Sequence, residues 1–374
     1  MLFDFDLVVL HILDAHFVYL RITNYKLMIR PNWQLKFRDL PEIPPLKRWR
    51  DGVHFTQEQN ISFKIFQHQE ISSSEQSDFI SLFKFYEDLD AALQELDYSS
   101  FDSSEFEIFK NYIDYAFNYI PLLANKLSVI HTYRLVVNES VSKKNERLTN
   151  ISFLKYPPID IVKSINRYNR ANTPNTSVLY VAENIDSALK EIKPPVGKLI
   201  TVGLWKTKEQ KEIISYPISH SDMALPFNHG VQKATAAFEK YGDNHSKLWV
   251  EWSRHYFKLL GREFTKPVSH HYEYLISAMF SERILKIRND PNPSFNFDCI
   301  IYPSVGNDFG TDNLAVHPES VEKEFGLLQI TEFEIEECYY EKEYVRGHPE
   351  VITLAKVKNR VNARRIQDNG DIVW

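Results

Sequence analysis

The spacing of apolar residues changes near residue 128, and this change limits the folds that the chain can adopt. Before it, apolar residues recur every three or four positions over 76–97 and 104–127, which predicts two amphipathic helices. Pro121 lies within the second pattern and is expected to kink or break that helix. After residue 128, short strands and helices are mixed without regular strand–helix–strand order. The sequence therefore predicts an α+β protein.

The pattern after residue 128 also predicts individual elements. The strands are expected over residues 129–137, 177–182, 198–205, 212–216, 297–302 and 327–335. The helices are expected over residues 184–192, 229–260, where a break at Gly242 stays open, and 270–287. We accordingly divide the chain into a mainly helical N-terminal region (1–127), a mixed domain (128–340) and a C-terminal extension (341–374).

Composition indicates a globular chain with a core rich in aromatic residues. Apolar residues make up 43% and aromatic residues 14%, with 25 Phe and 20 Tyr but only 11 Gly. So few glycines argue against a fold built on glycine-rich phosphate-binding loops.

Charge, cysteine content and the N-terminal sequence suggest a cellular location. The net charge of -6 gives no reason to expect direct nucleic-acid binding, and the basic patches at Lys47–Arg50 and Lys143–Lys144 are read as solvated surface. The two cysteines are too few for a disulfide framework, so a reducing compartment fits. The apolar stretch 2–20 contains acidic residues and lacks the basic start of a signal peptide. We expect a cytoplasmic protein without a membrane segment, and read 2–20 as a buried helix or strand.

Several common catalytic and metal-binding signatures do not occur. The chain has no G-x-G-x-x-G, no Walker-type loop, no H-E-x-x-H and no paired C-x-x-C. The run Tyr302–Gly306 is similar to a nucleophile elbow but has Tyr302 in place of the first glycine. His270 and His271 are adjacent and lack an obvious third ligand, so we read them as solvent or core histidines. No metal is expected.

Five features in a fixed order carry the functional reading. They are Arg170 at the start of a polar loop; Asn172 two residues on; Tyr180-x-Ala182 at a strand end; Ala188-x-x-Glu191 on a short helix; and Tyr302-Pro303-Ser304 followed by Asn313-Leu314-Ala315. In this order they resemble the RES family, which is named for its Arg, Glu and Ser. The resemblance covers about residues 128–340, so we take this domain as RES-like.

The resemblance implies both a fold and an activity. It implies a fold related to ADP-ribosyltransferases, preceded here by the mainly helical N-terminal region. It also implies that NAD⁺ is a substrate, cleaved at the nicotinamide–ribose bond with water or phosphate as the acceptor. Many members are toxins restrained by an Xre-type helix-turn-helix antitoxin, so a toxin role and such a partner are expected as well.

The resemblance assigns roles to six residues. Glu191, Arg170 and Tyr180 correspond to the catalytic set, and Arg134, Ser304 and Asn313 to the NAD⁺-binding set. Arg167 is an alternative to Arg170 that requires a loop three residues longer.

General chemistry agrees with these roles. Cleavage builds positive charge on the ribose, which a fixed carboxylate such as Glu191 stabilises. A guanidinium pairs with pyrophosphate or carboxylate oxygens, which suits Arg134 and Arg170.

Structural readings of the same residues stay open. Glu191 could be a solvent-facing helix residue, Tyr180 a core tyrosine, Ser304 a turn serine and the arginines surface residues. Two other functions also stay open: transfer of ADP-ribose to a macromolecule, and a non-catalytic binding module of the same fold.

Overall fold

A computed structural model describes most of the chain after residue 72. The described residues are 5–6, 40–41, 73–117, 123–129, 131–208, 211–218, 228–242, 247–286, 296–345 and 348–374. Most of the stretch 2–20, the basic patch Lys47–Arg50 and the kink at Pro121 therefore lie outside the described residues.

Nine α-helices occur in the described part of the chain. They are α1 (Ser73–Glu95), α2 (Ser103–Ala116), α3 (Asn138–Ser142), α4 (Ile159–Ile165), α5 (Ile185–Ile192), α6 (His229–Gly242), α7 (Lys247–Thr265), α8 (Leu275–Lys286) and α9 (Pro318–Glu324). Helix α2 begins with reciprocal caps: Asp102 Oδ1 accepts from Glu105 N, and Glu105 Oε2 accepts from Asp102 N, both at 2.9 Å. The prediction that this helix runs to residue 127 was wrong. It ends at Ala116, and Asn125–Leu127 forms a strand.

Ten strands form one sheet in the described residues. In chain order they are β1 (Phe5–Asp6), β2 (Asn125–Leu127), β3 (Thr132–Val137), β4 (Leu179–Ala182), β5 (Leu199–Thr207), β6 (Ile213–Pro217), β7 (Cys299–Pro303), β8 (Asp312–Val316), β9 (Phe325–Val345) and β10 (His348–Asn362). Their order across the sheet is β1-β2-β6-β7-β8-β4-β3-β5-β9-β10, and all neighbours are antiparallel except β6 and β7. Two short strands, β11 (Arg365–Ile366) and β12 (Ile372–Val373), pair separately. The predicted α+β class is confirmed.

An aromatic core fills the space between the sheet and helices α1, α2, α7 and α8. Tyr216 of β6, Tyr256 and Phe264 of α7 and Phe280 of α8 are buried there. Rings of this cluster meet mostly edge-on, for example Tyr216 and Phe280 with centroids 5.0 Å apart. The large Phe and Tyr content thus goes into one helix-on-sheet core.

Ion pairs join the N-terminal helices to the rest of the molecule. Arg262 of α7 contacts Asp90 Oδ1 of α1 at 2.6 Å and also donates to the Asp90 carbonyl at 2.7 Å. Arg283 of α8 pairs with Asp114 of α2. Helices α1 and α2 therefore pack as part of the same body as α7 and α8.

The sheet also runs across the boundaries drawn from the sequence. Strand β2 lies before residue 128 and pairs with β6, whereas β9 continues past residue 340 and pairs with β10. The C-terminal residue Trp374 donates its Nε1 hydrogen to the Leu148 carbonyl at 2.7 Å. The C-terminal residues are thus integrated with the sheet.

The sheet divides at the junction of β3 and β4. These strands pair at one position only, Tyr133 opposite Ala182, whereas β3 pairs with β5 at six positions. Helix α5 packs on the β3 side, with Ala188 and Leu189 buried against Leu135. The residues assigned from the sequence lie on the segments around this junction.

Two further observations concern the cysteines and the helices. Cys299 is buried, Cys338 is partly buried, and both are free thiols. None of the helices described here is long and apolar enough to cross a membrane.

Candidate functional site

Glu191 lies in the last turn of helix α5. Asn184 begins the helix because its Oδ1 accepts from Ser187 N at 2.8 Å, and Lys193 ends it with a left-handed backbone, φ 47°. The buried face includes Ala188 and Leu189, whereas Ile192 is 47% exposed. Glu191 is exposed at the edge of this packed helix.

Three donors hold one oxygen of the Glu191 carboxylate. Oε1 accepts from Ser304 Oγ at 2.6 Å, from Asn313 Nδ2 at 2.9 Å and from the backbone N–H of Gly306 at 3.0 Å. No described residue donates to Oε2. The carboxylate is therefore fixed through one oxygen and free to accept hydrogen bonds through the other.

The sheet places Ser304 and Asn313 beside Glu191. Ser304 directly follows β7, Asn313 lies on β8, and the two residues are 0% and 7% exposed. Asn313 is paired with Tyr302 on one side and Ala182 on the other, so these three side chains share one face of the sheet. Glu191, Ser304 and Asn313, which lie on three separate segments of the sequence, thus meet at one point.

Gly306 is part of the site and was missed from the sequence. A Cβ at this position would lie 2.9 Å from Glu191 N and 2.9 Å from the backbone C and O atoms of Lys190. Only glycine lets the 304–311 loop approach helix α5 this closely. The signal was present in the Tyr302–Gly306 run, where the final glycine was considered only as part of a nucleophile elbow.

The hydroxyl of Tyr180 is used inside the protein. It accepts from Ala171 N and donates to Asn172 Oδ1, both at 2.9 Å. Burial raises the pKa of Tyr180, so the phenol stays neutral at physiological pH. Tyr180 therefore fixes the loop that follows Arg170.

Arg170 lies at the end of helix α7. Its Nη1 donates to the carbonyl of Phe264 and, at 3.4 Å, to that of Lys266, while its guanidinium lies 5.0 Å from the centroid of the Tyr274 ring. No described carboxylate forms an ion pair with it. The alternative, Arg167, is exposed. Arg170 therefore caps α7 and keeps its charge uncompensated by these residues.

Arg134 lies at the junction of β3 and β4. Nη1 donates to the Tyr180 carbonyl at 3.2 Å, and the buried Nε has no hydrogen-bond partner. Burial lowers the pKa of Arg134 to about 10, which leaves it charged at neutral pH. Arg134 is partly buried and no carboxylate among the described residues pairs with it, so an anionic ligand would stabilise its charge.

Tyr302 lies near both Glu191 and Arg170, and it was given no role from the sequence. Burial raises its pKa, the nearby Tyr180 and the Glu191 carboxylate raise it further, and Arg170 lowers it. The centroid of its ring lies 5.5 Å from that of the Phe264 ring, and Arg170 donates to the carbonyl of Phe264. Tyr302 thus lies within electrostatic range of both Glu191 and Arg170.

His270 and His271 are both partly buried. His270 caps a short 3-10 helix, His271–Tyr274, by accepting from Tyr272 N at 3.4 Å. The His271 ring is near-parallel to that of Tyr168, and burial lowers the pKa of His271. In the described part of the chain, no three His, Cys, Asp or Glu residues group as metal ligands would.

The arrangement suits an anionic ligand with hydroxyl groups. An exposed carboxylate oxygen can accept from hydroxyls, and two arginines can contact negative oxygens. Two small cavities lie elsewhere, one beside Ile113 and Phe280 and one beside Gly230 and Asp312. Glu191 itself is exposed, so a ligand can reach its carboxylate from solvent.

Comparison with known proteins gave no further assignment. No protein-family model matches the chain, and no curated protein matches it.

Proposed function

We propose that this chain is an NAD⁺-cleaving enzyme with an ADP-ribosyltransferase-like fold of the RES type. The observation that carries the proposal is the Glu191 carboxylate, with Oε1 held by Ser304, Gly306 and Asn313 and Oε2 free. The order of segments that resembles the RES family supports it, because Glu191, Ser304 and Asn313 were assigned together on that resemblance.

The proposed chemistry breaks the bond between the ribose C1′ and the nicotinamide nitrogen. The bonding electron pair leaves with nicotinamide, which becomes neutral, and positive charge develops on the ribose ring. The fixed carboxylate of Glu191 stabilises this charge, and Oε2 accepts a hydrogen bond from a ribose hydroxyl. Water then attacks C1′ and loses a proton, giving ADP-ribose; inorganic phosphate attacking instead gives the phosphorylated sugar.

Two arginines have the positive charge needed to bind the pyrophosphate of NAD⁺. Arg134 and Arg170 lack carboxylate partners among the described residues, and NAD⁺ carries a pyrophosphate with two negative charges. The buried, unpartnered Nε of Arg134 is an orphaned donor that a phosphate oxygen would satisfy. Tyr180 positions the Arg170 loop through its hydroxyl.

The test is release of nicotinamide from NAD⁺ by purified protein, with and without phosphate. We expect release by the wild type and a loss of at least about 100-fold in Glu191→Gln, since a neutral amide cannot stabilise developing positive charge. Glu319→Gln is the matched control, because that carboxylate is exposed on α9 and forms an ion pair with Lys323. No release by folded wild type under either condition would reject the proposal.

The same assay separates the other functions. Labelled NAD⁺ whose label stays on a protein or nucleic acid would indicate transfer to a macromolecule. NAD⁺ binding without cleavage, unchanged in Glu191→Gln, would indicate a binding module. A toxin role and an Xre-type partner belong to the proposal, and growth arrest on expression, lost in Glu191→Gln, tests the first.

A further inference from the structure

The loop of residues 304–311 supplies two of the three donors to Glu191 and has a strained backbone. Asp308 and Phe309 have left-handed conformations, φ 44° and φ 65°. A bulky side chain such as phenylalanine disfavours this region, and such strain persists only where surrounding contacts impose it. The loop therefore needs contacts that hold it against helix α5.

Lys190 provides such a contact from the residue next to Glu191. Its side chain is almost entirely buried, 4% exposed, and Nζ donates to Asn307 Oδ1 at 2.5 Å. Asn307 in turn donates from Nδ2 to Thr311 Oγ1 at 3.0 Å, and Thr311 Oγ1 lies 2.7 Å from Ser187 Oγ. A buried ammonium is costly, and the charge-assisted bond to the loop offsets part of that cost.

We propose that Lys190 is a positioning residue for Glu191, acting through Asn307 to hold the 304–311 loop in its strained form. Lys190 and Glu191 are adjacent, so one helix turn contacts the loop twice. Lys190 fixes its middle, and Glu191 accepts from Ser304 Oγ and Gly306 N at its start. Without the first contact, the loop can relax and the donors to Glu191 move. The proposal rests on the proposed NAD⁺ cleavage for its kinetic readout.

The kinetic test compares Lys190→Met, Lys190→Arg and Asn307→Ala. We expect Lys190→Met and Asn307→Ala each to lower kcat for nicotinamide release about 10- to 100-fold, since small misplacement of a reacting group has effects of this size. KM should change less than about threefold, because the substrate-contacting arginines are untouched. Lys190→Arg, which keeps a positive donor, should recover activity relative to Lys190→Met.

A double variant and a control sharpen the comparison. If Lys190 acts through Asn307, the double variant should lose no more activity than either single variant. Lys198→Met is the control, because Lys198 forms an ion pair with Glu139 on the surface. It should match the wild type. Additive losses in the double variant, or a Lys190→Met kcat equal to the wild type, would overturn the proposal.

Hydrogen–deuterium exchange provides a readout independent of activity. Peptides covering residues 304–311 should exchange faster in Lys190→Met than in wild type, while peptides from α7 and β5 stay unchanged. This readout remains even if the wild type cleaves no NAD⁺, a result that would reject the function alone. Unchanged exchange in the loop would reject the positioning role, as would failure of both single variants to fold, which would make the contact a folding requirement.

Discussion

Replacing Gly306 by alanine tests the site through a single methyl group. The backbone of Gly306 is not left-handed, so alanine is conformationally allowed, and the added Cβ is the whole perturbation. That Cβ would lie 2.9 Å from three backbone atoms of Lys190 and Glu191, closer than real Cβ atoms approach. Since backbone cannot move aside as a flexible side chain can, the loop itself must withdraw from α5.

The magnitude follows from two losses. Overpacking of this kind lowers the free energy of unfolding by about 1–3 kcal/mol. Withdrawal also breaks the hydrogen bond from Gly306 N to the Glu191 carboxylate, and bonds to charged groups are worth about 1.5–3 kcal/mol. Because about 1.4 kcal/mol corresponds to a factor of ten, kcat/KM for NAD⁺ cleavage should fall roughly 10- to 150-fold.

Gly326→Ala is the matched control. This glycine also lacks a left-handed backbone, and a Cβ there would meet nothing within 4 Å. Chemical denaturation and nicotinamide release should show a loss of stability and activity in Gly306→Ala and neither in Gly326→Ala. If Gly306→Ala retained wild-type stability and activity, the close approach of the loop to α5 would be wrong.

Three more predictions concern single side chains. Ser304→Ala should lower kcat/KM about 10- to 100-fold by removing one donor to Glu191. The exposed control Ser140→Ala should leave kcat/KM unchanged, and a wild-type kcat/KM in Ser304→Ala would contradict the role of Ser304. Arg134→Met should raise KM for NAD⁺ about tenfold or more without lowering the free energy of unfolding, and an unchanged KM would show that the guanidinium does not contact substrate. Burial raises the pKa of Asp312 to about 7, the Asn228 hydrogen bond lowers it and Glu183 raises it. The folded state therefore holds this proton more tightly than the unfolded state, and stability should fall as pH rises from about 4 to 7. Asp312→Asn should make the free energy of unfolding, measured by denaturation at each pH, less dependent on pH. An unchanged pH dependence would contradict the raised pKa of Asp312.

Local periodicity predicted most of the elements but not how the strands pair. The α5 helix and the strands around 177–182, 198–205 and 297–302 were expected within one to two residues at most ends, because their apolar patterns are local. The strand Asn125–Leu127 was not, since it continues a helical pattern and is a strand through its pairing with β1 and β6. The order of ten strands depends on such contacts between distant segments, which spacing does not encode.

The site shows the same division between local and distant information. The resemblance named Glu191, Ser304 and Asn313, and the structure brings them together through β7, β8 and α5. Lys190 has no signature, and the Tyr302–Gly306 run does not reveal what Gly306 contacts. The importance of both residues comes from the approach of a loop to a helix more than a hundred residues earlier.

The arginines show why residue type alone could not decide between structural and ligand-binding roles. Arg170 contacts carbonyls at the end of α7, so its position has a structural reason that needs no ligand. Arg134 has one carbonyl contact and a buried Nε without a partner, which structure alone leaves unsatisfied. Because an unsatisfied buried donor costs about 1–3 kcal/mol, a ligand oxygen that accepted from Nε would offset that cost. Arg134, rather than Arg170, is therefore the arginine whose surroundings argue most directly for an anionic ligand.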